Sequence, residues 1–417
     1  MNNMLNVKEK LMLKEYNFSS ESIYYVSYLV YLSATLLFNI STMENFFGID
    51  TDILANIFVY PVYLVLIFKI LFMQKYTKKE LIKLICIGIC VLVSSILSRS
   101  NMLLVGFLFI VAAKNIDFNK IVKITLLVQI ICISIIIMLA LTGVIENRVM
   151  IRSGDTELRY ALGFEHPNTF ASQILQMIVC WIWIRWDRLC VKDYVGIIIL
   201  AVIVKLVCDS KTNLLLIGLI LICILAAKLA DKIVDENKII KYSKICAKLV
   251  IIIGPILSLI MAVIYKKGNT LHFILNKVFS GRLMLLQKFY SEYGFSLLGQ
   301  KINRVSTFMA RETGQQVAVL DNAYGNLAIR YGIIILLLFV IGYYILVKSS
   351  LLDKQILINI IVFIYFIFGI SETQIFKLPH NVSLILLSTV IYCNRGEQEL
   401  NIIKHTKLYW KLFKMKK

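Results

Sequence analysis

Charged residues are scarce in this chain of 417 residues: Asp, Glu, Lys and Arg make up 17%, where a soluble domain has about a quarter. The sequence also lacks a Pro-, Gly- or Ser-rich linker, so no boundary divides it into separate domains. Its nine cysteines form neither a disulfide framework nor a zinc-ligand spacing. Walker loops and histidine-pair metal motifs are absent, so we expect no cofactor and no bound metal.

Hydrophobic residues make up 59% of the chain instead, and they occur in blocks. About 20 consecutive apolar residues cross the hydrocarbon core of a bilayer, where a helix pairs its own backbone groups. We therefore predict one all-α, polytopic membrane domain over residues 1–417, with about twelve transmembrane helices. The predicted spans are 22–40, 52–73, 81–98, 100–113, 121–142, 167–186, 193–208, 212–229, 248–265, 323–347, 355–372 and 379–393.

The basic residues predict the orientation of these spans. Most of the 45 Lys and Arg residues lie at the two ends of the chain and in the connections after even-numbered spans. Cytoplasmic connections carry the excess of positive charge, so we predict that both termini are cytoplasmic. The connection 266–322 then becomes a large external loop between the ninth and tenth helices.

The formal net charge of +20 follows from this cytoplasmic bias and from a basic tail that ends in Lys416 and Lys417. Such a tail suits anionic lipid headgroups. We therefore expect membrane lipids as partners and no nucleic acid.

The large external loop has a pattern of its own. Apolar residues recur at helical spacing through 271–293, which is typical of an amphipathic helix lying on the outer leaflet. Gly281 interrupts the pattern, so two shorter helices fit it equally well.

The chemically diverse residues lie on the predicted external side, first of all in the run 147–168. Arg148, Arg152 and Arg159 present forked donors that suit a phosphate or diphosphate. Contact with lipid headgroups explains the same arginines equally well. His166, which opens the sixth span, is either a base or phosphate donor, or simply a hydrogen-bonding residue at the interface.

Two further external segments carry candidates. Asp321 and Asn322 begin the tenth span, where both residue types are preferred as helix N-caps. Arg330 lies inside that span, where a charge costs about 2.5–3.5 kcal/mol, so we expect it to face a cavity or a partner. Lys211 and Arg282 are each explained by a solvated turn, but so many basic residues on the external face favour an anionic ligand.

At these residues the sequence resembles the Wzy-type polysaccharide polymerases of the O-antigen polymerase and ligase superfamily. The resemblance covers nearly the whole chain, and its local matches are Arg159–Asn168, Ser210–Thr212, Ser280–Arg282 and Leu320–Asn322 with Gly332. Arg152 and Gly163 also fit the Arg-x10-Gly pattern of such polymerases. A second such pattern is absent from the large loop, and Asp321 stands where ligases of the superfamily carry His, which favours a polymerase.

The resemblance implies a GT-C-like glycosyltransferase in the bacterial cytoplasmic membrane, with its active site on the external face. It would transfer a growing glycan from undecaprenyl diphosphate to the next lipid-linked oligosaccharide repeat unit, alongside flippase and chain-length regulator proteins. The catalytic residues we expect are Arg159, His166 and Asp321. The residues expected to bind substrate are Arg152, Asn168, Lys211, Arg282, Asn322, Tyr324 and Arg330.

Other functions stay open at this point. A ligase of the same superfamily would pass finished glycan to a different acceptor. A flippase or another transporter of lipid-linked sugars would carry charged residues along many of its spans, whereas here they concentrate in external connections. A receptor or scaffold is the remaining alternative.

Overall fold

A computed structural model describes residues 20–392, apart from 47, 152–156, 267, 280, 306–309, 311–312 and 350–353. The described residues are mostly helical, with two small antiparallel hairpins. The first pairs β1 (Asn45–Phe46) with β2 (Ile49–Asp50), and the second pairs β3 (Val149–Ile151) with β4 (Leu158–Tyr160). Both chain ends, for which we predict a cytoplasmic position, lie outside the described residues.

The helices follow one another with short connections. In chain order they are α1 (20–34, continued by the π-helical turn Thr35–Asn39), α2 (Thr51–Phe72), α3 (Lys78–Ser98), α4 (Met102–Ala112), α5 (Phe118–Leu141), α6 (Pro167–Arg185), α7 (Val191–Ile203, continued by the π-helical turn Val204–Cys208), α8 (Lys211–Ala230), α9 (Glu236–Ile264), α10 (Thr270–Val278), α11 (Arg282–Tyr293), α12 (Ala323–Asn326, continued by the π-helical turn Leu327–Tyr331), α13 (Ile333–Lys348), α14 (Gln355–Phe368) and α15 (Leu387–Tyr392). Short 3-10 turns cover Trp186–Arg188, Thr373–Phe376 and Val382–Leu386.

Helical structure occupies each of the predicted spans. Five helices, namely α2, α3, α5, α8 and α9, are long and apolar enough to cross a membrane by length and composition. Many of their Leu, Ile and Phe side chains remain exposed. A soluble monomer rarely exposes apolar patches of that extent. The predicted all-α class and its membrane character are therefore confirmed in these coarse terms.

Two connections differ in detail from a simple series of spans. The connection 266–322, which we predict to be external, forms two helices, α10 and α11. They meet at Gly281, the second of the two arrangements that the apolar pattern allows. The predicted tenth span 323–347 is not one continuous helix, because Gly332 separates α12 from α13 with φ of 101° and ψ of 147°. That region of φ and ψ is essentially restricted to glycine.

The break at Gly332 is filled by the end of the external loop. The backbone N–H of Gln300 donates to the carbonyl of Arg330 at 2.8 Å, and the N–H of Ile333 donates to the carbonyl of Ser296 at 2.9 Å. Backbone groups away from water must find partners inside the protein. Residues 295–300 supply them, and they thereby fix the depth at which Arg330 lies.

A buried polar network holds the connection after α14 in place. His380 Nδ1 lies 2.7 Å from Ser172 Oγ and 3.1 Å from Gln173 Nε2, both on α6. The Tyr365 hydroxyl donates to the carbonyl of His380 at 3.0 Å. Because these groups are buried, losing any partner leaves an unsatisfied polar atom. The network therefore fixes the segment that carries Glu372.

Candidate functional site

Five side chains from distant parts of the sequence form one connected group, which we call the Glu372 cluster. Its members are Arg159, Asn168, Arg282, Asp321 and Glu372. Four of them belong to the residues expected from the sequence. The group joins β4, α6, α11 and the connections that precede α12 and follow α14.

Arg159 is buried and held by two hydrogen bonds. It lies on β4 opposite Met150 of β3, and only 6% of its surface is exposed. Its Nε donates to the carbonyl of Cys208 at 2.7 Å, and its terminal nitrogen donates to Asn168 Oδ1 at 2.6 Å. Because the two bonds use both arms of the guanidinium, a lysine cannot replace this residue.

Gly163 fixes the turn between Arg159 and the start of α6. Its φ is 83°, and an added Cβ would lie 2.8 Å from Ile145 and 2.9 Å from Ile136. Its carbonyl accepts from the backbone N–H of Thr42 at 2.8 Å. The glycine of the predicted Arg-x10-Gly pattern thus serves close packing, while its partner Arg152 lies outside the described residues.

Glu372 is the centre of the cluster, and the sequence did not single it out. Its Oε1 accepts a hydrogen bond from Asn168 Nδ2 at 2.8 Å and another from the Arg282 guanidinium. Its side chain is 7% exposed. Burial raises the pKa of Glu372, and the charge of Arg282 opposes that rise.

Arg282 joins Glu372 to the external loop. It is the first residue of α11, and its guanidinium donates to Thr212 Oγ1 at 3.2 Å and to Asp321 Oδ2 at 3.4 Å. Burial works against its charge, but Glu372 and Asp321 outweigh that effect and raise the pKa of Arg282. Arg282 is thus a permanent cation held between two carboxyl groups.

Asp321 is the most accessible acid of the cluster, with 35% of its side chain exposed. Its charge also acts on Arg304 and Lys377, since it raises the pKa of both against the larger lowering effect of burial. An accessible carboxylate among several cations suits the transfer of a proton from a bound hydroxyl group. Asp321 is not the helix cap, because Asn322 has that role.

Asn322 and Tyr324 are buried and hydrogen-bonded within the protein, and their contact with substrate stays a prediction. Asn322 Oδ1 accepts from the backbone N–H of Gly325 at 2.7 Å, while its Nδ2 donates to Ser258 Oγ at 2.9 Å and to the carbonyl of Ile370 at 2.7 Å. Tyr324 is fully buried, and its hydroxyl donates to a backbone carbonyl of α14 at 2.6 Å. Neither side chain has a polar group left for a ligand in this structure.

Arg330 is buried within the apolar segment for which we predicted that it faces a cavity or a partner. Only 8% of its surface is exposed, and its Nε makes no hydrogen bond to any described residue. Its guanidinium lies 5.1 Å from the ring centre of Tyr331. Desolvation lowers the pKa of Arg304, and the charge of Arg330 lowers it further. Arg330 Nε is the donor that remains for an anion.

His166 caps α6, which disfavours its predicted role as a base. Its Nδ1 accepts a hydrogen bond from the backbone N–H of Asn168 at 3.0 Å. A neutral imidazole that accepts at Nδ1 carries its proton on Nε2, so that side of the ring donates. Asp321 is the better candidate for the base.

Lys211 is the exposed first residue of α8, adjacent to the Thr212 that contacts Arg282.

The sequence contained a weak signal for Glu372. It is an acid placed four residues after an apolar helix, in a connection that also carries Ser371 and His380. The connection before α2 and the first turn of α2, which we predict to be external, carry an Asp-x-Asp pair, Asp50 and Asp52. The Asp50 side chain accepts from the N–H of Asp52 and caps α2.

No protein-family profile, curated protein or solved structure matches this chain. The geometry of the Glu372 cluster, together with the motif resemblance of the segments that build it, is the basis of the functional conclusion.

Proposed function

We propose that this protein is a Wzy-type membrane glycosyltransferase. It polymerises undecaprenyl-diphosphate-linked oligosaccharide repeat units into capsular polysaccharide, exopolysaccharide or O-antigen. In this proposal it is a GT-C-like protein with about twelve spans in the bacterial cytoplasmic membrane. Both termini are cytoplasmic, and the Glu372 cluster lies on the external face.

One observation carries the proposal, namely that the motif segments converge. Arg159 and Asn168 belong to one matching segment, Arg282 to another and Asp321 to a third, and Glu372 connects them all. Perturbed, partly buried ionisable groups that converge in this way are typical of active sites. The convergence supports the assignment of these segments to a single reaction centre.

The reaction is substitution at an anomeric carbon. A hydroxyl oxygen of the incoming repeat unit attacks the anomeric carbon of the growing glycan. The bond from that carbon to the diphosphate oxygen breaks, and its electron pair leaves with undecaprenyl diphosphate. The hydroxyl proton passes to a carboxylate, which we assign to Asp321 because it is accessible and adjoins Arg282.

Positive charge is required where the diphosphate departs. Arginines fixed in advance, in a site poor in water, stabilise the developing negative charge better than mobile groups do. Arg282 is fixed by its ion pairs, and Arg330 has a donor without a partner among the described residues. Arg159 acts by holding Asn168, and through it Glu372, in position.

The Arg159→Ala variant tests this arrangement. We expect polymerisation of the lipid-linked repeat by the purified protein in liposomes to fall by about a hundredfold, the loss typical of removing an electrostatic element of an active site. Arg159→Lys should fall nearly as far, because an ammonium group cannot reach both Cys208 and Asn168. Lys301→Ala, which removes an exposed charge from the external loop, is the matched control. Normal activity of Arg159→Ala would contradict the proposal.

A strain without the gene distinguishes the candidate functions. Loss of a polymerase leaves single repeat units on the lipid carrier at the external face. Loss of a ligase leaves long lipid-linked chains, and loss of a transporter leaves precursors facing the cytoplasm. Analysis of the lipid-linked glycans by mass spectrometry reads out all three cases.

A further inference from the structure

The connection that carries Glu372 also lines a second feature, a cavity of about 300 Å³ that we call the outer cavity. Its other walls come from α1, α2, α4 and the start of α6. Its polar lining includes the side-chain amides of Asn39, Asn56, Asn101 and Gln374.

One buried polar atom of the outer cavity lacks the partner that such atoms require. Gln374 Oε1 accepts no hydrogen bond from any described residue. Burial lowers the pKa of Lys377 and raises that of Glu165, and the charge of each residue opposes the shift of the other. Glu165 is exposed and lines the cavity. Unsatisfied groups of this kind point to a polar ligand.

Tyrosine side chains form the apolar part of the same lining. Tyr31, Tyr60 and Tyr63 contribute rings to the walls of the cavity. A tyrosine combines an apolar ring with a polar hydroxyl group. A sugar also combines apolar and polar surface, since its ring presents C–H faces and its edge presents hydroxyl groups.

An apolar groove of about 760 Å³ adjoins the outer cavity. α2 and α3 form its sides and α4 forms its floor, since both longer helices pack on α4. Ile67 and Leu71 of α2 face Leu84 and Ile85 of α3 across it. We call it the α2–α3 groove.

The cavity and the groove share part of their walls. Tyr60, Tyr63, Asn101 and Val105 line both of them. On α2 the groove extends from Tyr60 to Leu71, about 16 Å at the rise of an α-helix. In the proposed orientation the polar end is external and the apolar end points towards the cytoplasm. A lipid in the outer leaflet has the same order of head and tail.

We propose that the α2–α3 groove binds the isoprenoid chain of a polyprenyl-diphosphate-linked glycan, and that the polar head of the same molecule enters the outer cavity. This inference rests on the proposed function, which supplies the class of substrate. An ordinary phospholipid fits less well, because its small headgroup stays at the interface and leaves Gln374 Oε1 unsatisfied. The cavity also shares the connection 372–380 with the Glu372 cluster, so the bound head adjoins the reaction centre.

Photolabelling tests the inference directly. The probe is undecaprenyl diphosphate with a diazirine in its terminal isoprene units, added to the full-length protein in phospholipid nanodiscs. We expect label on peptides of α2, α3 and α4, and competition by unlabelled undecaprenyl diphosphate but not by phosphatidylglycerol. Label spread evenly over all lipid-facing helices, or displaced equally by phosphatidylglycerol, would overturn the proposal.

A matched pair of substitutions tests the groove itself. Ile85→Trp places a large ring in the groove, whereas Ile253→Trp changes an isoleucine of α9 that is similarly exposed, at 54% against 52% for Ile85. We expect Ile85→Trp to reduce specific labelling by about tenfold, a difference of one decade in affinity. Ile253→Trp should label normally. Equal labelling of the two variants contradicts the proposal.

A second pair tests the outer cavity. Gly106 lines it, and a Cβ added there meets nothing within 4 Å, so Gly106→Phe fills space without forcing the backbone apart. Gly218→Phe on α8 starts from a similarly open glycine outside the cavity. We expect only Gly106→Phe to abolish competition by undecaprenyl diphosphate. Unchanged competition in this variant, with normal elution on size exclusion, would overturn the assignment of the head to the cavity.

The two proposals fail in distinguishable ways. Specific labelling of the groove without any polymerisation would reject the proposed reaction and retain the lipid site. Normal polymerisation with labelling outside the groove would reject the lipid site alone.

Discussion

The Glu372→Gln variant is expected to lose polymerising activity by about a hundredfold or more, the scale of removing a preorganised charge from an active site. Glutamine keeps the shape of the side chain but removes the negative charge that Arg282 faces. Arg282 is then buried with Asp321, at 3.4 Å, as its remaining ion-pair partner among the described residues. Removing one partner of a buried ion pair destabilises strongly, because the charge that remains is less well compensated. Polymerisation of the lipid-linked repeat in liposomes measures the activity.

A control and a double variant separate catalysis from folding. Glu44→Gln neutralises an exposed acid near the start of α2, and we expect it to retain full activity. Combining Glu372→Leu with Arg282→Met removes both charges, so the midpoint of thermal unfolding in detergent should recover relative to either single change. Activity should not recover with it. Full activity of Glu372→Gln would remove Glu372 from the reaction centre.

Gly332→Ala is expected to lower the free energy of unfolding by about 2 to 5 kcal/mol, combining the cost of forbidden backbone angles with that of overpacking. The alanine Cβ would lie 2.5 Å from the carbonyl oxygen of Leu297 and 2.8 Å from the backbone nitrogen of Gly299. Both atoms belong to backbone that fills the helix break, so neither can rotate away. The thermal midpoint in detergent and the monodisperse fraction on size exclusion report the loss.

Two other glycines separate the cost of backbone strain from the cost of overpacking in Gly332→Ala. Gly143 has φ of 76° but open space around its Cβ position, so Gly143→Ala measures backbone strain alone. Gly218 is helical and equally open, so Gly218→Ala should be neutral or slightly stabilising. We expect Gly332→Ala to be the least stable of the three. A stability equal to that of Gly143→Ala would show that the loop moves aside.

The helices were predictable because their causes are local. Blocks of apolar residues set the segments, and a cap such as the Thr77–Glu80 capping box of α3 sets their ends. The amphipathic period and Gly281 similarly predicted helical structure in the external loop. These signals lie within a few residues of the structure they determine.

The cluster was only partly predictable, since its connections span long distances in the sequence. Asn168 and Glu372 are 204 residues apart, and Arg282 is 90 residues from Glu372. The motif resemblance indicated Arg159, Arg282 and Asp321 but carried no information about their common partner. In the sequence, Glu372 cannot be told apart from an ordinary acidic residue at the end of a helix. Its contact with Arg282 exists only in the folded chain.

Asn322 and Tyr324 show a second limit of prediction from the sequence. A motif marks residues that a fold requires as well as residues that contact a substrate, and the sequence alone does not separate the two kinds. Burial separates them here, because Tyr324 has no exposed surface while Asp321 keeps a third of its side chain accessible. The helix break at Gly332 was missed because an apolar run continues on its far side.

The loop end that fills the helix break also decides where this protein can accept foreign sequence. Residues 295–300 hydrogen-bond to α12 and α13, and Arg282 ties the start of α11 to the reaction centre. Val305 and Ala318 bridge each other through two backbone hydrogen bonds of 2.9 Å, which close the base of the stretch between them. An epitope tag or protease site belongs within the exposed residues 313–317 of that stretch. The same insertion before Gln300 would pull apart the break and displace Arg330.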